Sequence, residues 1–249
     1  MIDNFYTIFF YVYMDDKRKC FVNYLKKIDL FSEVIQDTFE IYFNELQREN
    51  LLLNLFSRKM ELDDIWTKHF MDSVSIFEVF RDFKTKEILD FGTGGGLPGV
   101  PIRILCPESK MTLMDSTQKK IESLKRMMYK IDLANVSFLA NRIEDKKMEA
   151  YKGFFDIVVC RSVKITEKLY KAILSVLKKG GKIFLWKASI LEIGDTIISL
   201  EENAQKKYKL ENNRLPFLKQ KSDFLASVII HTLDLKQLGE RRIIEINYG

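Results

Sequence analysis

Asp90, Gly92, Gly94 and Gly96 alternate along one short stretch, and Asp115 stands twenty-one residues beyond Gly94. The stretch reads DFGTGGGLPGVPIR (90–103), with five glycines between positions 92 and 99. Glycine weakens helices and strands alike, so backbone this bare implies that something approaches the main chain closely. A phosphate-binding ATPase loop is excluded, because Val100-Pro101 stands where Lys-Ser/Thr is required. The dinucleotide fingerprint matches formally as Gly94-x-Gly96-x-x-Gly99, with Asp115 where a ribose hydroxyl would be held.

The aspartate at 90 separates the two nucleoside-bearing ligands that fit such a loop. A pyrophosphate would be repelled by it, whereas a cationic or amine-bearing group would be attracted. S-adenosylmethionine carries a sulfonium, an amino-acid tail and a ribose, and no phosphate. Alternating glycines let its methionine portion lie against the backbone, while Asp115 takes the ribose hydroxyls. A Tyr-x-x-x-Lys reductase pair occurs only at Tyr13 and Lys17, upstream of the loop. These residues favour a methyltransferase. An NAD-dependent oxidoreductase and a non-catalytic RNA-binding module with a vestigial cofactor fold remain the alternatives.

The elements that position the loop are legible as changes of period. Phe21, Leu25 and Ile28, then Val34, Ile35, Phe39, Phe43 and Leu46, recur at helical steps. Leu62, Ile65, Trp66, Phe70, Val74 and Phe77 continue the pattern, which predicts a helical layer over 20–80. From Glu87 short apolar runs alternate with helical segments: strands at 87–92, 110–116, 136–141, 155–162 and 182–188, helices at 98–105, 116–133 and 166–179. The last helix is expected to stop at Gly180-Gly181. This alternation predicts parallel βαβ units, hence a Rossmann-like α/β methyltransferase domain over 81–249, forming one compact unit with the helical segment. The runs 224–235 and 241–248 are separated by only KQLGE, too short for a crossover, and should pair antiparallel.

Residues 1–19 read as an extension. Within it FYTIFFYVYM (5–14) is apolar but too short to span a bilayer, and no basic or small-residue signature of a signal peptide accompanies it. It reads equally as a packed element or as a stretch ahead of a start at Met14. Cysteines 20, 106 and 160 lack metal-ligand spacing and leave one over, which suits a reduced, cytoplasmic protein without a metal site. A net charge of +5, carried in doublets such as Arg58-Lys59 and Lys125-Arg126, allows a phosphate-binding face.

GTGGGLPGVPIRI followed by TLMDSTQKKIESLK resembles the family of RsmG (GidB), small-subunit ribosomal RNA methyltransferases that modify N7 of a guanine. The likeness covers roughly 20–249 and includes NLFSRK (54–59), WTKHFMDS (66–73), NRIED (141–145), VVCRSV (158–163), LWKA (185–188) and ERRIIEI (240–246). It implies a class I S-adenosylmethionine-dependent fold, a monomer acting on 16S RNA or the small subunit, and guanosine 527 as the target. By resemblance Gly92 and Leu97 line the cofactor pocket, Ile143 and Glu144 bracket the adenine, and Arg161 stands beside the cofactor. Glu49 replaces a tryptophan common before the Asn-Leu pair, and Phe56 a common threonine.

Guanine N7 has an in-plane lone pair and no proton, so attack on the sulfonium methyl needs no general base, only positioning. Arg161 and Lys187, at strand ends, are the positioning candidates. Cys160 reads as an apolar strand residue rather than a nucleophile. His69 reads either as a helix histidine satisfied by Asp72 or Asp64, or as an RNA contact. Arg58, Lys59, Lys125, Arg126 and Arg142 are candidate phosphate contacts.

Overall fold

The computed structural model describes residues 16–57, 59–163, 165–187, 214–219, 225–236 and 238–249. The apolar stretch 5–14 and Arg58 lie outside the described residues, and of Lys187 only the backbone is described.

Among the described residues eight strands form one sheet in the order β3-β2-β1-β4-β5-β8-β7-β6. They are β1 (Glu87–Phe91), β2 (Lys110–Met114), β3 (Val136–Leu139), β4 (Phe155–Arg161), β5 (Leu177–Lys187), β6 (Arg214–Lys219), β7 (Leu225–Leu235) and β8 (Gly239–Tyr248). The first five are parallel, with β1 between β2 and β4. β8 runs antiparallel to β7, as the short KQLGE link requires, and also to β5. β6, which the sequence did not signal, extends the antiparallel edge.

Strand parity sorts side chains onto two faces. Ile88, Ile157, Val159 and Phe184 join the first apolar layer with Phe21, Phe39, Phe70 and Leu124. Leu89, Val158, Cys160 and Leu185 join the second with Tyr170 and Ile173. The first face is covered by α1 (Asp16–Lys27), α2 (Glu33–Leu52), α3 (Gly99–Leu105) and α4 (Gln118–Ile131). It is also covered by a π-helical segment (Ile65–Met71) that continues through one α-helical turn (Asp72–Val74) and a 3₁₀ turn (Ser75–Glu78). The second face is covered by α5 (Glu167–Val176) and a 3₁₀ turn at Lys146–Tyr151. This is the Rossmann-like α/β architecture expected from the alternation of elements.

Three local expectations are corrected. Helix α5 ends at Val176, four residues short of the glycine pair, because Leu177 already pairs with Phe155. The register then jumps, with Ile157 opposite Lys182, so Lys178–Gly181 bulge out of β5. Gly180 takes φ +78°, and a Cβ on Gly181 would lie 2.7 Å from Leu177 Cγ and 2.8 Å from the Lys178 carbonyl. Val34 (74% exposed) and Leu62 (51%) fit the helical period in sequence yet face solvent. Val34 sits in the first turn of α2, and Leu62 precedes the π-helical segment, so neither has reached the packed part of its helix.

Candidate active site

The glycine loop leaves β1 at the sheet's carboxyl edge and is gripped from three sides. Asp90 shares the parity of Ile88, so its carboxylate points beneath the loop into the first layer. Its Oδ2 accepts from Thr93 Oγ1 at 2.6 Å and from Gly99 N–H at 2.8 Å. Oδ1 is buried without a partner among the described residues. Burial pushes the Asp90 pKa up to about 7, against the two donors and the charge of Arg161. Asp90 therefore holds the loop and the start of α3 together from inside, whereas the sequence had it facing a ligand directly.

From the second side comes Asp115, one residue past β2. Its Oδ2 accepts from Gly94 N–H at 3.2 Å, its Oδ1 accepts from Thr117 N–H at 2.8 Å, and Lys120 Nζ stands 3.9 Å away. The third grip is Tyr42 of α2, fully buried, whose hydroxyl donates to the Gly95 carbonyl at 2.8 Å. Tyr42 had no sequence signal beyond being one more large residue in the α2 stripe.

The glycines answer to different neighbours. A Cβ on Gly92 would lie 2.6 Å from Val163 Cγ2, and one on Gly96 would lie 2.6 Å from Val100 Cγ2 and 2.8 Å from Tyr42 Oη. At Gly94 (φ +56°) only the Leu55 carbonyl comes within range, at 4.0 Å. Gly92 and Gly96 are thus demanded by the protein's own packing. Gly94 leaves its backbone open to an incoming molecule. Leu97 is buried beside this loop, and Ile143 is buried beyond β3. Glu144 is exposed next to it, 3.8 Å from Lys168.

Arg161 ends β4 on the same face as Val159, and its guanidinium turns into the helical layer. Nη1 donates to Asp72 Oδ2 at 3.0 Å and to the Lys68 carbonyl at 3.2 Å, while Nη2 lies 2.8 Å from His69 Nδ1. Asp72 also receives Arg241, Nε to Oδ1 3.2 Å, and its carbonyl accepts from Trp186 Nε1 at 2.8 Å. Four segments far apart in sequence, HFMDS, VVCRSV, LWKA and ERRIIEI, therefore meet at one point on the carboxyl edge. Arg161 thus caps the Lys68 carbonyl near the end of the π-helical segment and shares the His69 carbonyl with the Asp72 N–H. His69 Nδ1 is engaged by Arg161, and neither Asp72 nor Asp64 pairs with the ring; Asp64 is taken by Lys17 and Lys68. Trp186 and Arg241 lay within these segments without an assigned role, and Asp72 had only that of a partner for His69.

The basic candidates divide. Arg126 binds Glu49 through two bonds of 3.0 and 2.5 Å, and Glu49 is buried, its pKa held down first by that pairing. The Arg126 guanidinium, half exposed, is thus tied to the fold through Glu49, the residue that departs from the common tryptophan. Lys125 pairs with Glu122 at 3.1 Å. Lys59 and, just past β3, Arg142 are exposed, and among the described residues only their main chains are engaged: the N–H groups by Ser57 and Asp145, and the Arg142 carbonyl by the Asp145 N–H. Lys187 closes β5 opposite Arg242. No group of three or more metal-binding side chains occurs among the described residues, and none of their helices is long and apolar enough to cross a membrane.

Residues 35–231 match the sequence profile of the GidB family, described as rRNA small subunit methyltransferase G. The chain belongs to this family. Curated relatives bear the name ribosomal RNA small subunit methyltransferase G. That of Oceanobacillus iheyensis is 34% identical over 191 residues, 74% of this chain and 79% of the relative. That of Chlorobaculum tepidum is 39% identical over 165 residues, 65% of this chain and 73% of the relative. With that of Lachnoclostridium phytofermentans, 35% identical, the match spans 61% of this chain and 63% of the relative, just under two-thirds of its length. Among solved structures, a predicted O-methyltransferase from Agrobacterium tumefaciens aligns over 73% of this chain and 81% of its own, with TM-score 0.52 and 16% identity. At that identity the likeness speaks for the fold alone.

Proposed function

We propose that this GidB-family chain transfers a methyl group from S-adenosylmethionine to N7 of a guanine in small-subunit RNA, guanosine 527 of 16S RNA by resemblance. The observation that carries the reading is the open backbone at Gly94, beside an acid at the end of the second strand. The residues fit the cofactor. Gly94 offers main chain without a side chain, Asp115 offers carboxylate oxygens for ribose hydroxyls, and Leu97 and Ile143 offer apolar walls. Asp90, though turned inward, places an acid under the loop that a cationic ligand would favour.

The bound cofactor supplies an electrophilic methyl group on a sulfonium. Guanine N7 would take that methyl group with no proton to move, so the chain's own residues need only hold and orient the two substrates rather than supply a base. What the protein contributes is alignment, which alone accounts for a large share of such a rate. Arg161 fixes the wall where β4 ends, and Lys187 stands at the end of the adjacent strand. Lys59 and Arg142 supply positive charge for RNA phosphates.

The deciding experiment is transfer of a labelled methyl group to small-subunit RNA, naked and within the subunit, followed by mapping of the modified base. Label on guanine N7 supports the reading. Binding of S-adenosylhomocysteine without transfer to either RNA form would leave an RNA-binding module, and binding of NADH instead would favour an oxidoreductase.

A further inference from the structure

His69 has two ring nitrogens, and the fold accounts for one. Arg161 Nη2 stands 2.8 Å from Nδ1, and a guanidinium can only donate. Nδ1 therefore carries the lone pair, and the proton sits on Nε2. Burial, then the charge of Arg161, pushes the ring pKa down to about 3, opposed only in part by the Lys68 carbonyl. The imidazole stays neutral, with a fixed tautomer.

Nε2–H is buried and meets no acceptor among the described residues. A buried donor left without a partner costs about 1–3 kcal/mol, so such groups in a native fold call for a reason. Neither nearby carboxylate supplies one, since Asp72 faces Arg161 and Arg241 while Asp64 faces Lys17 and Lys68.

The place of the ring suggests the reason. On one side it meets Phe56 edge-on, ring centroids 5.9 Å apart. Asn50 Oδ1 accepts from Leu55 and Phe56 N–H at 2.8 and 3.0 Å, and fixes the segment whose Leu55 carbonyl faces Gly94. On the other side Arg161 ends β4, the neighbour of β1, and Val163 just beyond it abuts Gly92. His69 thus packs on both of the segments that flank the glycine loop.

We propose that His69 Nε2–H is a ligand-binding donor, which takes a carbonyl or carboxylate oxygen of a molecule seated at the glycine loop. This rests on the methyltransferase reading and assigns His69 a contact with one of its two substrates. The oxygen belongs either to the carboxylate of the cofactor's amino-acid portion or to O6 of the guanine. A neutral donor suits the base well. It orients O6 without adding a full charge beside a ring that turns positive as N7 is methylated.

Two substitutions dissect the ring. His69→Asn puts an acceptor oxygen near the Nδ1 position, keeps Arg161 in place and removes everything at Nε2. His69→Gln restores an N–H donor at the Nε2 position and sacrifices the Arg161 contact. With both variants folded by circular dichroism, His69→Asn should lose about tenfold or more in kcat/KM for methyl transfer, while His69→Gln retains most of it. Calorimetry with S-adenosylhomocysteine and assays on RNA carrying 2-aminopurine at the target then separate the sources. If the cofactor carboxylate is the acceptor, His69→Asn weakens S-adenosylhomocysteine about tenfold. If O6 is the acceptor, that affinity is unchanged, and wild type and His69→Asn act equally on the 2-aminopurine RNA. Wild-type kinetics in His69→Asn, or a loss confined to His69→Gln, overturns the proposal and leaves His69 as a support for Arg161. A wild-type protein that neither binds S-adenosylhomocysteine nor transfers methyl groups overturns the methyltransferase reading, and this contact with it.

Discussion

The hydroxyl of Tyr42 and the carbonyl of Gly95 are joined by a buried hydrogen bond of 2.8 Å that ties helix α2 to the glycine loop. The Tyr42 ring is stacked on Phe70, centroids 5.1 Å apart. The helical layer thereby reaches from its own core into the backbone that a cofactor would lie on. Tyr42→Phe keeps the ring and removes only the donor, which leaves the Gly95 carbonyl unsatisfied. We expect a stability loss of about 1–3 kcal/mol and, well below the melting temperature, an affinity for S-adenosylhomocysteine lowered about three- to tenfold. Unchanged affinity in the destabilised variant would reduce the hydroxyl to a packing role.

The loop was legible because glycines at fixed spacing after an apolar run leave few physical alternatives. Its grip was not. That Asp90 points inward follows from strand parity, which a glance at the end of β1 does not settle until its neighbours on the sheet are known. Tyr42 and Gly95 are fifty-three residues apart, and Glu49 and Arg126 seventy-seven, so no periodicity links them. A π-helical segment likewise shares its apolar residues with an ordinary helix, and Ile65, Trp66, Phe70 and Val74 fit either. Helix α5 was overextended in the sequence reading because the Gly180-Gly181 pair looks like a stop, when it serves a bulge in the strand that follows.

Asp90 makes stability depend on pH in an unusual direction for a carboxyl. In the unfolded chain it ionises near 3.8, whereas burial in the folded protein raises this to about 7. Between these values the folded state keeps a proton that the unfolded state has lost. Its favourable contribution is therefore complete below about 4 and is lost as pH rises through about 7. Asp90→Asn keeps a carbonyl oxygen for Thr93 and Gly99 and does not titrate. Relative to this variant, the wild type should lose at most about 1.4 kcal/mol per pH unit across that window. Denaturant titrations at several pH values measure the difference, and Glu40, raised in the same sense by burial, cancels because both proteins carry it. Parallel stability profiles would mean that Asp90 is ionised in the fold.

Glu49 and Arg126 should separate stability from RNA binding. The Glu49 side chain is only 3% exposed, and removing its partner leaves a carboxylate with little solvation. Arg126→Ala is expected to cost about 2–4 kcal/mol, and adding Glu49→Gln should recover much of that loss. RNA affinity of the double variant should retain the salt slope of the wild type if this guanidinium serves Glu49 and not a phosphate. Lys59→Glu and Arg142→Glu should each flatten the slope by close to one phosphate contact. A flattened slope in the double variant, with none in the other two, would move the RNA face to α4.

The final expectation concerns the chemical step. If N7 attacks unaided, no side chain must gain or lose a proton before transfer, and the groups near the site agree with this. His69 is held neutral, with a pKa of about 3, and Cys160 lies 2% exposed in the second apolar layer, facing away from Arg161 and the helical side. Single-turnover rates at saturating cofactor and RNA should therefore stay level between about pH 6 and 9, with no limb at the ordinary histidine or cysteine values. Asp90 adds a split. The carboxyl that titrates near 7 under the loop attracts a cationic cofactor only when ionised, so cofactor affinity should rise with pH through that region while the saturated rate does not. Cys160→Ser should keep most of the activity, because no bond to the ring carbon forms. Were a conformational step to limit turnover, it would mask a pH-dependent rate, yet it could not rescue a variant lacking an essential nucleophile. Loss of transfer in folded Cys160→Ser, together with a covalent protein–RNA adduct, would replace N7 attack by carbon methylation. The geometry argues otherwise: Cys160 and Arg161 leave β4 on opposite faces of the sheet, and it is Arg161 that shares the side of the glycine loop's supports.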